Sequence, residues 1–120
     1  ILTKDAWKYL SMSDSGRIIV LVSMSGKRSK GSFASYSMSK FALMSLCQTM
    51  RNEGWEHGIR VTAICPGWVN TDMAKDINNF PKEDMTQTKD IANICSTLLE
   101  LPNSSVPFEL ALNCQHETKI

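Results

Sequence analysis

The chain has 120 residues and a nearly even charge balance, with 13 lysines and arginines against 12 aspartates and glutamates. A net charge of +1 argues against a dedicated nucleic-acid surface, and this length suffices for one modest core. No apolar stretch is long enough to span a bilayer, and no signal peptide is visible. The cysteines form no C-x-x-C pair, which predicts no metal site and reduced thiols in a cytoplasmic protein: Cys47, Cys65, Cys95 and Cys114.

The first predicted elements are a helix and a strand. Residues Ile1–Met12 are typical of the end of an amphipathic helix. The run Arg17–Val22 is short and rich in β-branched residues, which predicts a buried strand of a parallel sheet. From Ser23 the composition changes to serine and glycine, which predicts a loop at the carboxyl end of that strand. Ligands of open α/β sheets bind beyond such ends, so Ser23 is a candidate site residue.

The next predicted element is a helix that carries Tyr36 and Lys40 one turn apart. Both residues extend a stripe at helical spacing, which predicts that they face inward with Leu43, Cys47, Met50 and Gly54. A phenol is a weak acid at neutral pH, and an ammonium one helical turn away stabilises its phenolate. We therefore expect Tyr36 to exchange a proton with a carbonyl or alcohol oxygen, while Ser23 holds that oxygen by a hydrogen bond.

A second strand is predicted over Ile59–Cys65, and it ends at Pro66-Gly67. Its carboxyl end points into the same crevice as Ser23. The turn lets the backbone approach a flat ring closely, and the following Trp68–Met73 mixes apolar surface with polar groups. This segment is therefore a candidate binding element.

The rest of the chain predicts a structural helix over Ile91–Leu101 and a weaker strand over Phe108–Asn113. Together these elements predict an α/β fold that forms part of a doubly wound, Rossmann-like parallel sheet. Three strands of this kind leave one apolar strand edge without a partner.

Each candidate also has a purely structural interpretation. A tyrosine and a lysine four residues apart often simply pack against each other, and serines commonly end strands. Pro66-Gly67 alone would be an ordinary turn. The ordered combination of strand, serine, glycine loop, Tyr-x-x-x-Lys helix and second strand is far more specific than any one of its members.

Residues Ser15 to Met73 resemble the carboxyl-terminal half of a short-chain dehydrogenase/reductase. The resemblance is carried by four motifs at the family's spacing: Ser23, Tyr36-Ser37-Met38-Ser39-Lys40, Gly58-Ile59-Arg60-Val61 and Pro66-Gly67-Trp68-Val69-Asn70-Thr71. The chain departs from the family's pattern after Val106-Pro107, where many members end in Val-Asp-Gly-Gly.

This resemblance implies an oxidoreductase that transfers a hydride between a nicotinamide cofactor, NAD or NADP, and a small-molecule carbonyl or secondary alcohol. It implies that Tyr36 is the acid/base, that Lys40 also binds the nicotinamide ribose, and that Ser23 orients the substrate. The nicotinamide would lie against the turn after the second strand, near the Val69 backbone and Thr71. The implied cofactor-binding residues are Tyr36, Lys40, Pro66, Gly67, Val69 and Thr71.

The family's glycine-rich turn, which cradles the cofactor pyrophosphate, has no counterpart in this sequence. We therefore expect the amino-terminal half to be absent, with the choice between NAD and NADP made there. Residues 1–120 would be the carboxyl-terminal catalytic half of a single Rossmann-like domain, inactive alone. The resemblance also implies a homo-oligomer in the full-length enzyme.

Two other functions stay open at this point. The chain can be a catalytically inactive Rossmann-like scaffold or nucleotide-sensing domain, because a fold does not guarantee its chemistry. It can also be an epimerase or dehydratase, which uses Tyr-x-x-x-Lys with bound NAD on the same scaffold. The basic cluster Lys27-Arg28-Ser29-Lys30 can meet an anionic substrate, although a solvated loop is the simpler interpretation.

Overall fold

The computed structural model describes residues 2–29, 31–76 and 81–117. Helices and strands alternate along the chain, with short 3₁₀ turns between them. In chain order the main elements are α1 (Leu2–Met12), β1 (Arg17–Leu21), α2 (Ala34–Gly54), β2 (Arg60–Pro66), α3 (Thr88–Glu100) and β3 (Glu109–Leu112). This alternation confirms the predicted α/β class.

The strands form one parallel sheet in the order β1-β2-β3. In the first pair Arg17 lies opposite Arg60 and Leu21 opposite Ile64, and in the second pair Pro66 lies opposite Leu112. Parallel neighbours need long crossover connections, which α2 and α3 supply. All three strands therefore leave the sheet at the same edge, which is the edge predicted to carry the site.

Burial differs between the two strands that the sequence predicted to be buried. In β2 the five residues from Val61 to Cys65 are all buried, as expected for a central strand. In β1 four residues are half-buried and Leu21 is 55% exposed, whereas Val22, the last residue of the predicted run, is buried in the core. The prediction of a buried strand therefore holds only in part. Within the described residues β1 pairs only with β2, and one side of the strand lacks a neighbour. The predicted open apolar edge is thereby confirmed.

The buried face of α2 agrees with the predicted stripe in the later turns of the helix, where Cys47, Met50 and Gly54 are buried. Its buried residues are Ser37, Met44, Cys47, Met50 and Gly54. Successive residues of a helix are about 100° apart, so Tyr36 lies on the same side of α2 as the buried Gly54, about five full turns later. In the first turns of α2 the same stripe is only partly covered, since Tyr36 is 36% exposed and Lys40 is half-buried.

Element bounds differ from the predictions by a few residues, and β2 includes Pro66. Along β2, Arg60 N–H donates to Gly16 O, and Ile64 O accepts from Val22 N–H. The backbone N–H and C=O groups of the even-numbered residues of β2 therefore point toward β1. Pro66 has no N–H to donate on that side, where β1 has already ended at Leu21. The proline therefore closes the ladder toward β1 while Gly67 N–H still bonds to Leu112 O at 2.7 Å.

Two arginines fasten the amino-terminal end of the sheet. Arg17 Nη2 donates to Leu101 O at 2.7 Å, and Arg60 Nε donates to Asn103 O at 3.0 Å. The Arg60 guanidinium also lies 3.5 Å from the centre of the Trp55 ring. Burial and the neighbouring Arg60 charge lower the pKa of Arg17 from its ordinary value. This end is closed by fixed contacts, in contrast to the carboxyl edge.

The four cysteines are free thiols, in agreement with the sequence prediction. Cys47 and Cys65 lie in the core between α2 and β2, where burial raises the pKa of both thiols. Cys95 on α3 is only half-buried. Among the described residues, no helix is both long and apolar enough to cross a membrane.

These burials predict the order in which the native protein reacts with iodoacetamide. Cys95 should be modified first, because the attacking thiolate must form and must be accessible. Cys47 and Cys65 should react about 100-fold more slowly, since reaction requires opening of the core. Peptide mapping by mass spectrometry at successive times would measure this order. Equal rates at Cys65 and Cys95 in native protein would contradict the described packing.

Candidate active site

Ser23 lies directly beyond β1, where it caps the 3₁₀ turn Met24–Gly26. Its Oγ accepts a hydrogen bond from Ser25 N–H at 3.0 Å. A serine hydroxyl has one proton to donate and two acceptor positions. The capping bond therefore fixes the position of Oγ and leaves the hydroxyl proton for a ligand oxygen. The structural interpretation of Ser23 as a turn residue and the functional one are both compatible with this geometry.

Tyr36 and Lys40 lie on the first turns of α2 and are in contact. Lys40 Nζ is 5.5 Å from the centre of the Tyr36 ring, within the range of a cation–π contact. The helical spacing of four residues brings the two side chains together, as predicted. Because Tyr36 is at the rim of α2 and not in the core, its ring is accessible to a small molecule.

Gly26 connects the loop of Ser23 to the helix of Tyr36. A Cβ built on Gly26 would lie 2.9 Å from Lys40 O and 2.9 Å from Val22 Cγ1. The absence of a side chain therefore lets the Ser23 turn pack directly on the α2 backbone at Lys40. Ser23 and Lys40 are placed at one junction by this contact.

The turn after β2 is held by hydrogen bonds to the segment before α3. Asn70 N–H donates to Thr86 O at 2.9 Å, and Thr86 N–H donates to Trp68 O at 3.1 Å. In such a parallel bridge, the residue between the two hydrogen-bonded residues points its own N–H and C=O away from the partner segment. That residue is Val69, and Thr71 Oγ1 lies 3.5 Å from its carbonyl oxygen.

Two groups of predicted site residues thus meet at the carboxyl edge of the sheet. Ser23, Tyr36 and Lys40 form the group at β1 and α2, and Pro66, Gly67, Val69 and Thr71 form the group at the exit of β2. The amide groups of Val69 and the Thr71 hydroxyl fit a planar carboxamide, which needs one donor and one acceptor. Among the described residues, no group of three or more His, Cys, Asp or Glu can hold a metal ion.

The basic cluster of the Ser23 loop is paired with carboxylates. Lys27 forms an ion pair with Glu109 of β3, and Arg28 Nη2 lies 3.5 Å from Glu117 Oε1. Lys30 lies outside the described residues. For Lys27 and Arg28 the solvated-loop interpretation was therefore wrong. The sequence analysis missed Glu109 and Glu117, because partners far apart along the chain leave no local pattern.

A shallow cavity of about 300 Å³ opens beside the same loop. It is lined by Gly26, Lys27, Phe41, Met44, Ser45, Gln48 and Glu109. The cavity contains none of the predicted catalytic residues, and its two charged groups already bind each other. It is therefore a groove between α2 and β3 next to the site.

The family model for short chain dehydrogenases matches residues 1–82 of the chain. The chain belongs to the short-chain dehydrogenase family. The match includes all the predicted site residues and extends over two thirds of the sequence, so the resemblance seen in the motifs is confirmed.

Relatives of this short-chain dehydrogenase include several reductases. An agropine synthesis reductase of Rhizobium rhizogenes is 36% identical over 117 residues, which are 98% of this chain and 27% of that protein. A 3-oxoacyl-[acyl-carrier-protein] reductase of Rickettsia bellii is 30% identical over 115 residues, which are 88% of this chain and 48% of that protein. The chain thus spans between a quarter and a half of the relatives it matches.

Solved structures agree with the fold. A β-ketoacyl-[ACP] reductase of Bacteroides thetaiotaomicron superposes with a TM-score of 0.77 at 32% identity, covering 94% of this chain and 46% of that one. A short chain dehydrogenase of Burkholderia cenocepacia, solved in complex with NADP, superposes with a TM-score of 0.67 at 25% identity. That match covers 83% of this chain and 39% of that structure. The Rossmann-like character of the sheet is therefore confirmed.

The close contact at Gly26 generates a prediction. In Gly26→Ala the new methyl group meets backbone and cannot be accommodated by a side-chain rotation, so we expect a loss of about 1–3 kcal/mol in the free energy of unfolding. Chemical denaturation would measure it. Ser25→Ala is the matched control, because it keeps the N–H that bonds to Ser23 Oγ. An unfolding midpoint equal to that of the control would contradict the described packing.

Proposed function

We propose that the protein is an NAD(P)-dependent oxidoreductase that interconverts a small-molecule carbonyl and the corresponding secondary alcohol. The observation that carries the proposal is the Lys40 ammonium over the Tyr36 ring at the carboxyl edge of the sheet, in a chain of the short-chain dehydrogenase family. The relatives described as reductases support this choice over a scaffold or an epimerase.

In the reducing direction, Tyr36 gives its hydroxyl proton to the carbonyl oxygen, and the carbonyl carbon receives a hydride. Proton and hydride together account for the two hydrogens of the alcohol. Lys40 stabilises the phenolate that remains on Tyr36, and Ser23 donates its free hydroxyl proton as a hydrogen bond to the same oxygen. In the oxidising direction Tyr36 takes the proton back from the alcohol.

A nicotinamide cofactor supplies or accepts the hydride when it is bound. Val69 and Thr71 would hold its carboxamide, since the bridge to Thr86 directs the Val69 N–H and C=O away from α3. Pro66 and Gly67 would lie against the ring. Tyr36 and Lys40 would contact the nicotinamide ribose, as the resemblance implies. NAD and NADP both remain compatible with these residues.

We also propose that residues 1–120 are the carboxyl-terminal catalytic half of a single Rossmann-like domain. Coverage of 46% of the Bacteroides reductase structure supports this. The exposed outer side of β1 offers the edge to which a further parallel strand would pair. The activity proposed above is that of the complete protein, and this segment alone would be inactive.

A homo-oligomer in the cytoplasm is the proposed state of the complete protein. Free thiols support a reducing compartment. Support for the oligomer comes from large hydrophobic side chains that are exposed on α1 and α2: Leu2, Tyr9 and Met12 on α1, with Met38, Phe41 and Leu46 on α2.

Leu46→Lys tests the oligomer. A charge among these exposed apolar side chains should shift the complete protein toward the monomer if they form the interface, because burying an unpaired ammonium is costly. Light scattering after gel filtration would measure the mass. The matched control is Leu99→Lys, because Leu99 is also exposed, at 61%, but lies on α3 and not on α1 or α2. An unchanged mass for Leu46→Lys would exclude this surface from the interface.

Tyr36→Phe tests the proposed chemistry in the complete protein. Removal of the hydroxyl should lower kcat by about 10²–10⁴-fold, the usual contribution of a positioned acid or base. The Kd for NADH or NADPH should change less than about threefold, because the ring and Lys40 remain. Tyr9→Phe is the matched control, since Tyr9 is 70% exposed on α1.

Turnover of Tyr36→Phe at the rate of wild type would remove Tyr36 from its role as acid. Cofactor binding without any net oxidation or reduction would favour one of the alternatives. Product formation with no accumulation of reduced or oxidised cofactor indicates an epimerase or dehydratase. Binding without product indicates a nucleotide-sensing scaffold.

A further inference from the structure

The carboxylate of Glu117, in the tail after β3, lies against the turn that follows β2. Glu117 Oε2 accepts hydrogen bonds from Trp68 N–H at 2.9 Å and from Cys114 N–H at 3.2 Å. The other oxygen, Oε1, lies 3.5 Å from Arg28 Nη2. The Glu117 side chain is only 8% exposed, so these contacts are made largely away from water.

Among the described residues, the three partners of Glu117 come from the exits of all three strands. Arg28 belongs to the loop that begins with Ser23 after β1, Trp68 to the turn after β2, and Cys114 to the tail after β3. A buried carboxylate is stable only when it is paired and hydrogen-bonded, and here both oxygens are engaged. One side chain thus fastens both groups of candidate site residues to the tail.

Gly67 makes room for this carboxylate. A Cβ built on Gly67 would overlap the Glu117 carboxyl group. Any side chain at position 67 would therefore displace Glu117 from the Trp68 amide. Gly67 and Glu117 are coupled by this contact, although they are distant in the sequence.

We propose that Glu117 is a positioning residue for the cofactor side of the site. By holding the Trp68 N–H it fixes the orientation of the Gly67–Trp68 peptide, one residue before the Val69 backbone groups that would bind the carboxamide. Through Arg28 it ties that turn to the Ser23 loop. The inference rests on the proposed function, because it assigns the turn after β2 to the nicotinamide.

The test compares Glu117→Ala, Glu117→Gln and Glu109→Ala in the complete protein. Glu109→Ala is the matched control, since it also removes an ion pair from the same loop but leaves the Trp68 amide bonded. Fluorescence titration with NADH and NADPH gives the cofactor Kd. Hydrogen exchange measured by mass spectrometry on the peptide containing Trp68 reports the turn without any need for activity.

We expect Glu117→Ala to raise the Kd of the preferred cofactor about tenfold and to accelerate exchange at the Trp68 amide, as for a lost buried hydrogen bond. Glu117→Gln should raise the Kd only about threefold, because its amide oxygen can still accept from Trp68 and Cys114 while the charge opposite Arg28 is lost. Glu109→Ala should change neither measurement.

A double-mutant cycle separates positioning from a direct effect on the turn. Gly67→Ala should weaken cofactor binding in wild type by displacing the carboxylate. In the Glu117→Ala background the same substitution should have little further effect, because the group that it displaces is already gone. Additive effects would overturn the proposal.

Equal Kd values for Glu117→Ala and Glu109→Ala would also overturn it, even if exchange at Trp68 were faster. If Glu117→Ala does not fold, Glu117→Gln decides: binding about threefold weaker than in Glu109→Ala supports the proposal, and equal binding overturns it. Wild type that binds neither NADH nor NADPH refutes the proposed function itself and the cofactor role of Glu117 with it. The exchange data then show only whether the contact exists.

Discussion

The parallel pairing of β2 between β1 and β3 is the constraint on which the site depends. Parallel strands that share a direction release their chains at one edge, so three loops distant in sequence are brought to the same place. Ser23 follows the first strand, the Pro66–Thr71 turn the second, and the Glu117 tail the third. The complete burial of β2 from Val61 to Cys65 holds this arrangement, because any shift of its register would displace the exit of β2 from the exits of both neighbouring strands.

The two ends of the sheet differ in how their polar groups are used: at one end they stabilise the fold, and at the other they are available to a ligand. At the amino-terminal end Arg17 and Arg60 donate to carbonyl groups that follow α3 and close the fold. At the carboxyl end, among the described residues, Ser23 Oγ accepts a hydrogen bond and its own proton has no internal acceptor. The Thr71 hydroxyl has only a long contact with Val69 O. Polar groups that the fold does not consume are the ones available to a ligand.

The sequence was sufficient for the features that depend on local pattern and insufficient for those that depend on neighbours. The β2 strand and the Tyr36–Lys40 contact were predicted because one follows from composition and the other from helical spacing. The partial exposure of β1 was not predicted, since a β-branched run looks the same at the edge and in the centre of a sheet. The partial exposure of Tyr36 and Lys40 was also missed, because helical spacing predicts the side of α2 that faces the sheet but not how far neighbouring elements cover its first turns. The contacts of Glu117 with Arg28 and Trp68 could not be predicted, because these residues are far apart in the sequence and form no local pattern.

The ion pairs of the basic loop limit the substrates that the candidate site can bind through charge. Lys27 and Arg28 looked available to an anionic substrate, yet carboxylates of β3 and of the tail neutralise them. An anion that used either cation would have to displace Glu109 or Glu117, and in the second case it would also release the Trp68 amide. Within the proposed function, a neutral carbonyl held by Ser23 and Tyr36 therefore fits these residues better than a substrate captured through its charge.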